Sequence, residues 1–396
     1  MLRSLYSGIS GLRAHQTMLD VTANNIANVN TTAFKSSSTQ FQDTLSQLTQ
    51  GAGSPQATVG GTNPAQVGLG VQVAGISTNF AQGSSQATGR ATDVMISGDG
   101  FFVTKQGGET LYTRAGNFDF DAQGRLVSPS GAIVQGWNAV DGVINQGGPT
   151  GNITLPLQAV IAAKASATAS ATGNLPSDAA NGTILSREFT SYDASGTASQ
   201  VSLTFTNNAA TGSPAAWTVA SSPASTTTPV PVLTFTDGVL TSTGNSLTVG
   251  GVTVDLSKLE GFAGLTTVTA TSTDGNAAGS LTSFTLGKDG TLVGLFSNGK
   301  QESIGRIALA TFTNPGGLEK AGGSEYRSTF NSGAAALGAP GSAGMGTLTS
   351  GSLEMSNVDL SQEFTNLIVA QRGFQANARI ITTSDEVLTE LTNLKR

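Results

Sequence analysis

The chain of 396 residues contains no cysteine. Disulfide bonds, thiolate metal sites and thiol catalysis are therefore excluded. It also contains a single histidine, His15, so a cluster of histidine metal ligands is excluded and one position alone could serve a Ser-His-Asp arrangement. That histidine lies in an N-terminal segment with helical periodicity, far from the β-rich part of the sequence. We expect it at an interface or in solvent.

Charged residues are also scarce, at 11% of the sequence with a formal net charge of −6. Nucleic-acid-binding proteins normally carry clustered lysine and arginine, and no such stretch occurs here. No apolar run approaches the roughly eighteen residues of a membrane-spanning helix, and the N-terminal segment lacks the apolar core of a secretory signal peptide. We therefore expect no nucleic-acid partner, no membrane insertion and no cleaved signal peptide.

The sequence does contain an apolar repeat at each end, with alternating steps of four and three residues. This spacing is typical of a coiled-coil seam, although an ordinary amphipathic helix has nearly the same pattern. The N-terminal repeat consists of Leu5, Ile9, Leu12, Gln16, Leu19, Ala23 and Ile26. The C-terminal repeat consists of Leu360, Phe364, Leu367, Gln371, Phe374, Ala378, Ile381, Asp385 and Leu388. Two helical ends around a β-rich middle indicate an inserted body carried on a pair of helices.

The first repeat predicts a helix over residues 4–28, and the second predicts a helix that begins near Asp359. The Asp359 carboxylate can cap the helix, with Gln362 completing a capping box. One partner helix covers only a narrow seam, so further apolar residues are left for other copies of the chain to cover. An open contact of this kind between copies produces a helical filament. These residues outside the seam are Leu2, Val21, Val29, Ile368 and Ile380.

The middle of the chain is rich in glycine, serine and threonine, with many turn signals. Residues 93–137 predict successive antiparallel hairpins, because turn pairs separate short β-prone runs. Residues 283–312 have the same texture, and Asn298-Gly299 within them predicts a type I′ turn. Residues 162–182 carry few bulky side chains, and we interpret them as a linker or exposed loop.

The fold class predicted is mainly β with α-helical termini, in which paired coiled-coil helices carry nested β-rich domains. An outer domain is inserted into an inner one. The predicted parts are a terminal helical domain (1–35 and 356–396), a connector (36–75), an inner β-domain (76–155 and 285–355) and an outer β-domain (156–284). Within the connector, Phe41, Leu45 and Leu48 predict a short helix that docks on the terminal pair.

Two motifs resemble ligand sites and do not meet their requirements. Residues 294–300 have the spacing of a phosphate-binding loop, but Gln301 replaces the serine or threonine that holds magnesium. Residues 119–124 resemble the start of a calcium loop, but Ser130 stands at the position of the bidentate glutamate. We predict hairpins at both places, and we predict no catalytic residue, no metal site and no cofactor. A carboxylate pair of the glycosidase kind remains an open alternative.

Three stretches resemble the bacterial flagellar rod and hook proteins. They are LYSGISGLRAHQTMLDVTANNIANVNTTAFK at residues 5–35, SGDGFFVTKQ with YTRAGNFDFDAQGRLVSPSGAIVQGW within 97–137, and GSLEMSNVDLSQEFTNLIVAQRGFQANARIITTSDEVL at 351–388. They lie at the ends and centre of the chain in the order of the family. Rod subunits of the family are mostly shorter, so the long insertion at 156–284 points to a hook subunit. Some members form a covalent cross-link that starts from a cysteine, which this chain lacks.

The resemblance implies a non-enzymatic structural subunit that polymerises with itself into the hook, the flexible joint that transmits torque from the rod to the filament. It also implies contacts with rod proteins, hook–filament junction proteins, the hook cap and the type III export apparatus, and a location in the extracellular flagellum. The family's export segment carries over onto Phe41 and Leu45. The alternatives are a distal rod or other axial subunit, and a secreted β-rich adhesin or carbohydrate-active protein. For subunit–subunit packing we predict Leu5, Ile9, Leu12, Leu19, Ile26, Leu360, Phe364, Leu367, Phe374, Ile381 and Leu388.

Overall fold

A computed structural model describes residues 2–56, 60–140, 142–155, 160–208, 216–272, 274–342 and 344–393. One long helix lies at each end of the chain, α1 at Leu2–Ala27 and α2 at Leu360–Asn393, and short strands fill most of the rest. The prediction of a mainly β fold with paired terminal helices is therefore confirmed. Within the described residues, no helix is long and apolar enough to span a bilayer.

The strands of the first part of the chain are β1 (Ser37–Asp43), β2 (Ser46–Gln50), β3 (Ala65–Gly68), β4 (Val71–Thr78), β5 (Ser85–Ala87), β6 (Val94–Ser97), β7 (Phe101–Gln106), β8 (Glu109–Thr113), β9 (Asp119–Phe120), β10 (Leu126–Val127), β11 (Ile133–Val140), β12 (Val143–Ile144) and β13 (Gly151–Asn152). Those of the middle part are β14 (Val160–Ile161), β15 (Thr168–Asn174), β16 (Ile184–Tyr192), β17 (Ala198–Asn207), β18 (Ala216–Ser222), β19 (Val232–Thr236), β20 (Val239–Leu240), β21 (Ser246–Val249), β22 (Val252–Glu260), β23 (Thr269–Ser272) and β24 (Gly279–Leu286). Those of the last part are β25 (Thr291–Phe296), β26 (Gln301–Ile307), β27 (Leu309–Thr311), β28 (Glu319–Gly322), β29 (Glu325–Arg327), β30 (Ala336–Gly338), β31 (Thr347–Ser350) and β32 (Ser352–Glu354), with one turn of 3₁₀-helix at Pro315–Gly317.

The chain divides into two compact units. The first contains residues 1–155, 285–293 and 303–396, and the second contains residues 156–284 and 294–302. Both helices belong to the first unit, together with the strands that lie next to them in the sequence. The finer division by sequence into a helical domain, a connector and an inner domain stays a prediction.

A long antiparallel β-arm follows α1, where the sequence predicted a connector that contains a short helix and, over residues 67–80, a strand. β1 pairs with β4 from Ser37 opposite Thr78 to Asp43 opposite Val71, and β2 pairs with β3. The helix prediction at Phe41, Leu45 and Leu48 was wrong, because cross-strand pairing outweighs a weak helical spacing in a Ser/Thr/Gln-rich segment. The arm also contacts α1, since the Val71 N–H donates to Ser10 Oγ at 3.2 Å.

The inner sheet of the first unit confirms the predicted hairpins of residues 93–137. β7 and β8 pair around Gly107 and Gly108, whose φ angles of 57° and 92° are those of a type I′ turn. The path continues in the order β11-β7-β8-β29-β28. Its core is strongly aromatic, with edge-to-face contacts among Phe80, Phe101, Tyr112, Phe312 and Tyr326.

The second unit is built on one sheet in the order β16-β17-β18-β19-β20-β22-β15-β23, around the fully buried Trp217. β15 was predicted to be a linker, and that prediction was wrong. It runs parallel to β22, with Ala169 and Ala171 buried. The small side chains of β15 bury little apolar area, so they give a weak hydrophobic signal in the sequence. In the fold they leave room for the larger residues that surround them.

The type I′ turn predicted at Asn298-Gly299 is also wrong in detail. Gly299 has a φ of 76°, but Asn298 is not among the residues with positive φ, so the two-residue I′ geometry is absent there. The second unit has that geometry instead at Asp237 and Gly238, with φ values of 52° and 80°, where β19 turns into β20.

Candidate assembly surface on the terminal helices

The two terminal helices pack side by side in opposite directions. Near the start of α1, Gly8 lies beside Ile381, and further along Gly11 lies beside Asn377. Near the end of α1, the Asn25 side chain donates a hydrogen bond to Glu363 Oε1 at 3.0 Å. Residue numbers rise along α1 as they fall along α2, so the helices form an antiparallel pair, which we call the helix pair.

The face of α1 that meets α2 is offset by one residue from the apolar repeat. The predicted seam residues Leu5, Leu12, Leu19 and Ile26 are only half-buried, and Ile9 is exposed. One residue corresponds to about 100° of rotation around the helix. Much of the apolar stripe of α1 is thus turned away from the partner helix. The residues on the observed inner face are Gly8, Gly11, His15, Met18, Thr22 and Asn25.

On α2 half of the predicted seam faces inward. Leu367, Phe374, Ile381 and Leu388 are half-buried, whereas Leu360 and Phe364 are exposed. At every second position of the C-terminal repeat, the residue that precedes the predicted one faces α1. These inner residues are Glu363, Ala370, Asn377 and Ser384. Phe364, Gln371 and Asp385, which follow three of them, are exposed, whereas Ala378 is half-buried like Asn377.

The offset follows from close approach of the two backbones. A Cβ atom on Gly11 would stand 2.6 Å from the Asn377 side-chain oxygen, and one on Gly373 would stand 2.5 Å from the His15 ring. Only glycine allows that separation without a shift of the neighbour. The His15 ring is held between Gly373 and Phe41, whose ring centroid is 5.7 Å away. Of the two positions expected for His15, an interface or solvent, the structure shows the interface between the helices.

The consequence is an apolar surface that the single chain does not cover. Phe364 is 53% exposed and Ile368 is 56% exposed, although both stand on a well-formed helix. Isolated exposed apolar residues are ordinary, but a continuous stripe of them marks an interaction surface. The exposed apolar residues of the helix pair are Tyr6, Ile9, Leu360, Phe364, Ile368, Val369, Ile380, Val387 and Leu391. Val21 and Val29 are half-buried, and the side chain of Leu2 lies outside the described part of the chain.

The N-terminus of α2 is capped as predicted, but without the full capping box. Asp359 Oδ1 accepts hydrogen bonds from the N–H groups of Ser361 at 2.8 Å and Gln362 at 3.3 Å. The Gln362 side chain does not reach back to the cap and donates instead to Asn366 Oδ1 at 3.2 Å. The cap therefore depends on Asp359 alone.

A buried polar cluster joins the chain segments next to the helix pair to the inner sheet. Lys35 Nζ lies 2.6 Å from Glu354 Oε1, and both side chains are fully buried. The same carboxylate oxygen accepts the Gly83 N–H at 2.8 Å and lies 3.6 Å from Arg114 Nη1. Lys35 also donates to the Ala81 carbonyl at 2.8 Å. We call Lys35, Arg114 and Glu354 the buried triad.

Asn357 extends this cluster toward α2. Its side-chain oxygen accepts the Ser36 N–H at 2.8 Å, and its amide donates to the carbonyls of Asn79 and Ala81. The segment that leaves α1 and the segment that enters α2 are thereby bound to each other and to the end of the β-arm. Hydrogen-bonded buried networks of this type favour one arrangement over alternatives.

Desolvation dominates the electrostatics of this region. Burial lowers the pKa of Lys35, and the contact with Glu354 opposes that shift. Burial also raises the pKa of the Tyr326 hydroxyl to about 12. The buried triad contains two cations and one carboxylate, so Glu354 supplies the negative charge that compensates both Lys35 and Arg114.

Sequence reasoning missed the buried triad. Lys35 and Glu354 are separated by more than three hundred residues, and hydrophobic periodicity assigns charged residues to the surface. The only available signal was their position inside the two terminal stretches that resemble one family. The export-segment residues lie elsewhere, Phe41 on β1 against His15 and Leu45 83% exposed on the arm. Among the described residues no group of histidine and carboxylate side chains is arranged to hold a metal.

Family models match three parts of the chain. Residues 5–35 match "Flagella basal body rod protein", residues 95–175 match "Flagellar hook protein FlgE/F/G D1 domain", and residues 349–394 match "Flagellar basal body rod FlgEFG protein C-terminal". The first and last matches contain the helix pair and Lys35 with Glu354. The middle match contains Arg114 and the hairpin of β7 and β8.

Full-length relatives are also similar. The flagellar hook protein FlgE of Borreliella burgdorferi is 39% identical and that of Salmonella typhimurium is 36% identical, the alignments covering 100% and 99% of this chain and all of each relative. The flagellar basal-body rod protein FlgG of Bacillus subtilis is 35% identical over the whole of both chains. Among solved structures, Helicobacter pylori flagellar hook protein FlgE2 has a similar fold, with a TM-score of 0.53 and 16% identity over 68% of this chain and all of that one.

Proposed function

This chain belongs to the flagellar hook protein family and is a structural subunit of the hook, and we propose that its copies assemble through the apolar surface of the helix pair. The observation that supports this proposal is the one-residue offset between the apolar repeat and the inner face. Inside the pair, the glycine and polar residues of α1 meet small and polar residues of α2 together with its half-buried Leu367, Phe374, Ile381 and Leu388. The chain leaves Phe364, Ile368 and their neighbours for another copy.

Burial of this apolar surface between copies supplies more free energy than a single contact requires. Burial of a phenylalanine or isoleucine side chain is worth about 1.5–3 kcal/mol, and several such side chains are exposed on each copy. An elongated helix pair presents them along its length to more than one neighbour. A contact between different faces of successive copies does not close on itself and yields a helical polymer.

The proposal is tested with the double variant Phe364→Ser/Ile368→Ser, since both side chains point away from α1. We expect the critical concentration for polymerisation to rise by at least about a hundredfold, because two buried side chains are lost from each contact. Sedimentation measures the polymer, and circular dichroism checks that the monomer stays folded. Gln371→Ser on the same helix is the matched control, because it alters an exposed polar side chain.

Polymerisation of the double variant at the wild-type concentration would contradict the proposal. If the double variant and Gln371→Ser both lost polymer, the effect would belong to α2 in general and not to the apolar stripe. If only the double variant loses polymer, the stripe is the assembly surface.

The same family membership supports a proposal for the position of the subunit in the flagellum. We propose that the polymer joins rod proteins at one end and junction proteins at the other, that a cap protein guides assembly, and that the type III apparatus exports the chain without cleavage. Phe41 and Leu45 are the proposed export segment. Leu45 is accessible on the arm, whereas Phe41 contacts His15, so recognition of both requires the chain before it folds.

The rod relative with 35% identity makes the distal rod the second candidate. The two functions differ in the shape of the polymer, because a universal joint must bend and a drive shaft must not. Electron microscopy of polymers grown from purified subunits distinguishes them. Curved tubes are expected for a hook subunit, and uniformly straight tubes would favour a rod subunit.

A further inference from the structure

A polar cleft opens in the first unit, where the chain leaves α1 and passes to the inner sheet. Its volume is about 600 Å³, within the range that is typical of small-molecule sites. The cleft is lined by the end of α1 and the segment that follows it, by the turn at residues 128–130, and by the hairpin of β28 and β29. Most of the lining side chains are amides and hydroxyls. We call this space the junction cleft.

A buried carboxylate lines the junction cleft, with one oxygen held in place and the other without a donor. Glu325 is 5% exposed, and its Oε1 atom accepts a hydrogen bond from Ser130 Oγ at 2.8 Å. Ser130 Oγ lies 2.7 Å from Ser128 Oγ, which accepts the Ala132 N–H at 3.2 Å. Because the only hydroxyl hydrogen of Ser130 goes to Glu325, Ser128 donates to Ser130, and the relay has one direction. Glu325 Oε2 accepts no hydrogen bond from the described residues, and a buried oxygen of this kind requires a donor.

The turn beside this carboxylate has an unusual backbone. Three successive residues between β28 and β29, Gly322, Gly323 and Ser324, have positive φ values of 97°, 58° and 62°. For Ser324 this left-handed conformation costs free energy. Two hydrogen bonds hold it, since Thr113 Oγ1 donates to the Ser324 carbonyl at 2.9 Å and Ser324 Oγ donates to the Thr32 carbonyl at 3.3 Å. The wall of the junction cleft that carries Glu325 is therefore fixed in one conformation.

A cation without a carboxylate partner lines the same cleft. The Lys320 ammonium donates to Ser37 Oγ at 2.9 Å and lies 5.3 Å from the centre of the Phe34 ring. Burial lowers the pKa of Lys320, because the charged form loses solvent and gains no opposite charge. None of the ion pairs among the described residues includes Lys320 or Glu325. The junction cleft thus presents one anion and one cation, and neither compensates the other.

From these contacts we infer that the junction cleft binds a small zwitterion, a molecule that carries a primary ammonium group and a carboxylate, as a free amino acid does. The ammonium group binds Oε2 of Glu325, and the carboxylate binds the Lys320 ammonium. A guanidinium group fits less well, because it pairs best with both oxygens of a carboxylate and Ser130 already occupies Oε1. The other N–H donors of the ammonium group find acceptors among the hydroxyl and amide oxygens of the lining.

The test is calorimetric titration of the full-length protein, kept below the concentration at which it polymerises. The probes are the ω-amino acids from glycine to ε-aminocaproate, with the amines and carboxylic acids of the same lengths as single-charge controls. We expect the best-fitting amino acid to bind with a Kd on the order of 1 mM or lower, and its single-charge counterparts to bind about tenfold or more weakly. Failure of the whole series to bind would overturn the inference. Equal binding of the amine and the amino acid would also overturn it, since a lysine side chain of a polypeptide would then serve as well.

Two variants test the two charges separately. Glu325→Gln keeps an oxygen for Ser130 and removes the negative charge, and Lys320→Met removes the positive charge from a half-buried side chain and serves even if Glu325→Gln does not fold. Each should raise the Kd about tenfold or more, whereas Glu319→Gln, which alters an exposed carboxylate next to Lys320 outside the cleft lining, should bind like the wild type. Circular dichroism verifies folding. A ligand that binds the folded state raises its thermal midpoint, so Trp137 fluorescence in a Trp217→Phe background gives a second readout. Unchanged binding in both cleft variants, or equal loss with Glu319→Gln, would refute the site.

Discussion

At the scale of single residues, Glu354 is a charged group that the first unit buries completely. Its carboxylate is fully buried and faces both Lys35 and Arg114. A buried ion pair adds little net stability compared with an apolar pair, but loss of one partner leaves a charge without compensation. The two sides of the Lys35–Glu354 contact are not equivalent, because Glu354 keeps Arg114 if Lys35 is lost, whereas Lys35 has no second carboxylate in its contacts.

We predict that Glu354→Gln lowers the free energy of unfolding of the first unit by about 3–5 kcal/mol. Lys35→Met should cost less, about 1–3 kcal/mol, since Arg114 and the Gly83 N–H still face the carboxylate. Urea unfolding followed by Trp137 fluorescence, in a Trp217→Phe background, measures the first unit separately. Asp119→Asn, which breaks the exposed ion pair with Arg90, is the control and should change little. A larger cost for Lys35→Met than for Glu354→Gln would contradict this assignment.

The aspartates of the second unit lead to a separate prediction about its stability at low pH. Backbone hydrogen bonds, first from Thr168, lower the pKa of Asp274, and those from Thr197 lower the pKa of Asp193. A folded-state pKa below the unfolded value means that the unfolded state binds protons first. The stabilisation is present above about pH 4 and is lost as the pH falls through the folded-state pKa.

We therefore expect the second unit to lose stability as the pH falls below about 4. Asp274→Asn should weaken that pH dependence, because the amide does not titrate. Trp217 fluorescence during urea unfolding at each pH, in a Trp137→Phe background, provides the measurement. A pH profile that is the same with and without Asp274 would refute the role given to this carboxylate.

At the scale of elements, the helix pair depends on the small residues of its inner face. Gly373 is a poor helix former by about 1 kcal/mol relative to alanine, so helix propensity alone favours its replacement. Packing opposes that, because a Cβ there would meet the His15 ring. A larger side chain at Gly373 would force several atoms of the neighbouring helix to shift, so packing outweighs helix propensity there.

We predict that Gly373→Val lowers the helical signal of the monomer and impairs polymerisation. Ala376→Val places the same side chain on the exposed side of α2, less than one turn away, and should leave the helical signal of the monomer nearly unchanged. Circular dichroism at 222 nm and sedimentation give the two readouts. Equal behaviour of the two variants would show that the close approach at Gly373 is unimportant.

At the scale of the whole molecule, the two ends of the chain depend on each other. α1 contains glycines on its inner face and packs on α2 and on the β-arm. An isolated helix of that length with two internal glycines is marginal in water. Removal of one terminal helix should therefore disorder part of the other as well.

We predict that deletion of residues 367–396 yields a monomer at concentrations where the full chain polymerises. The helical signal should fall by more than the deleted residues contribute, because α1 loses its partner. The second unit should unfold with its usual midpoint, which Trp217 fluorescence reports. Polymers formed by the truncated chain would show that assembly does not need the helix pair.

The sequence by itself determined the kind of structure at each end and in the middle. Helical periodicity at the termini and turn pairs in residues 93–137 were enough for the mainly β fold with paired helices. They succeeded because those signals are local, arising from repeats of 3.5 residues and from glycine turns. The terminal motifs were likewise sufficient to indicate the family.

Only the tertiary structure decided which surfaces meet. The rotation of α1 by one residue, the strand at Ala169 and Ala171, and the pairing of Lys35 with Glu354 depend on partners distant in the sequence. In each case small or polar residues occupy the contact, because close backbone approach and hydrogen bonding outweigh the burial of large side chains there. A pattern of hydrophobicity identifies residues that need covering, but it does not identify whether the same chain or a neighbouring copy covers them.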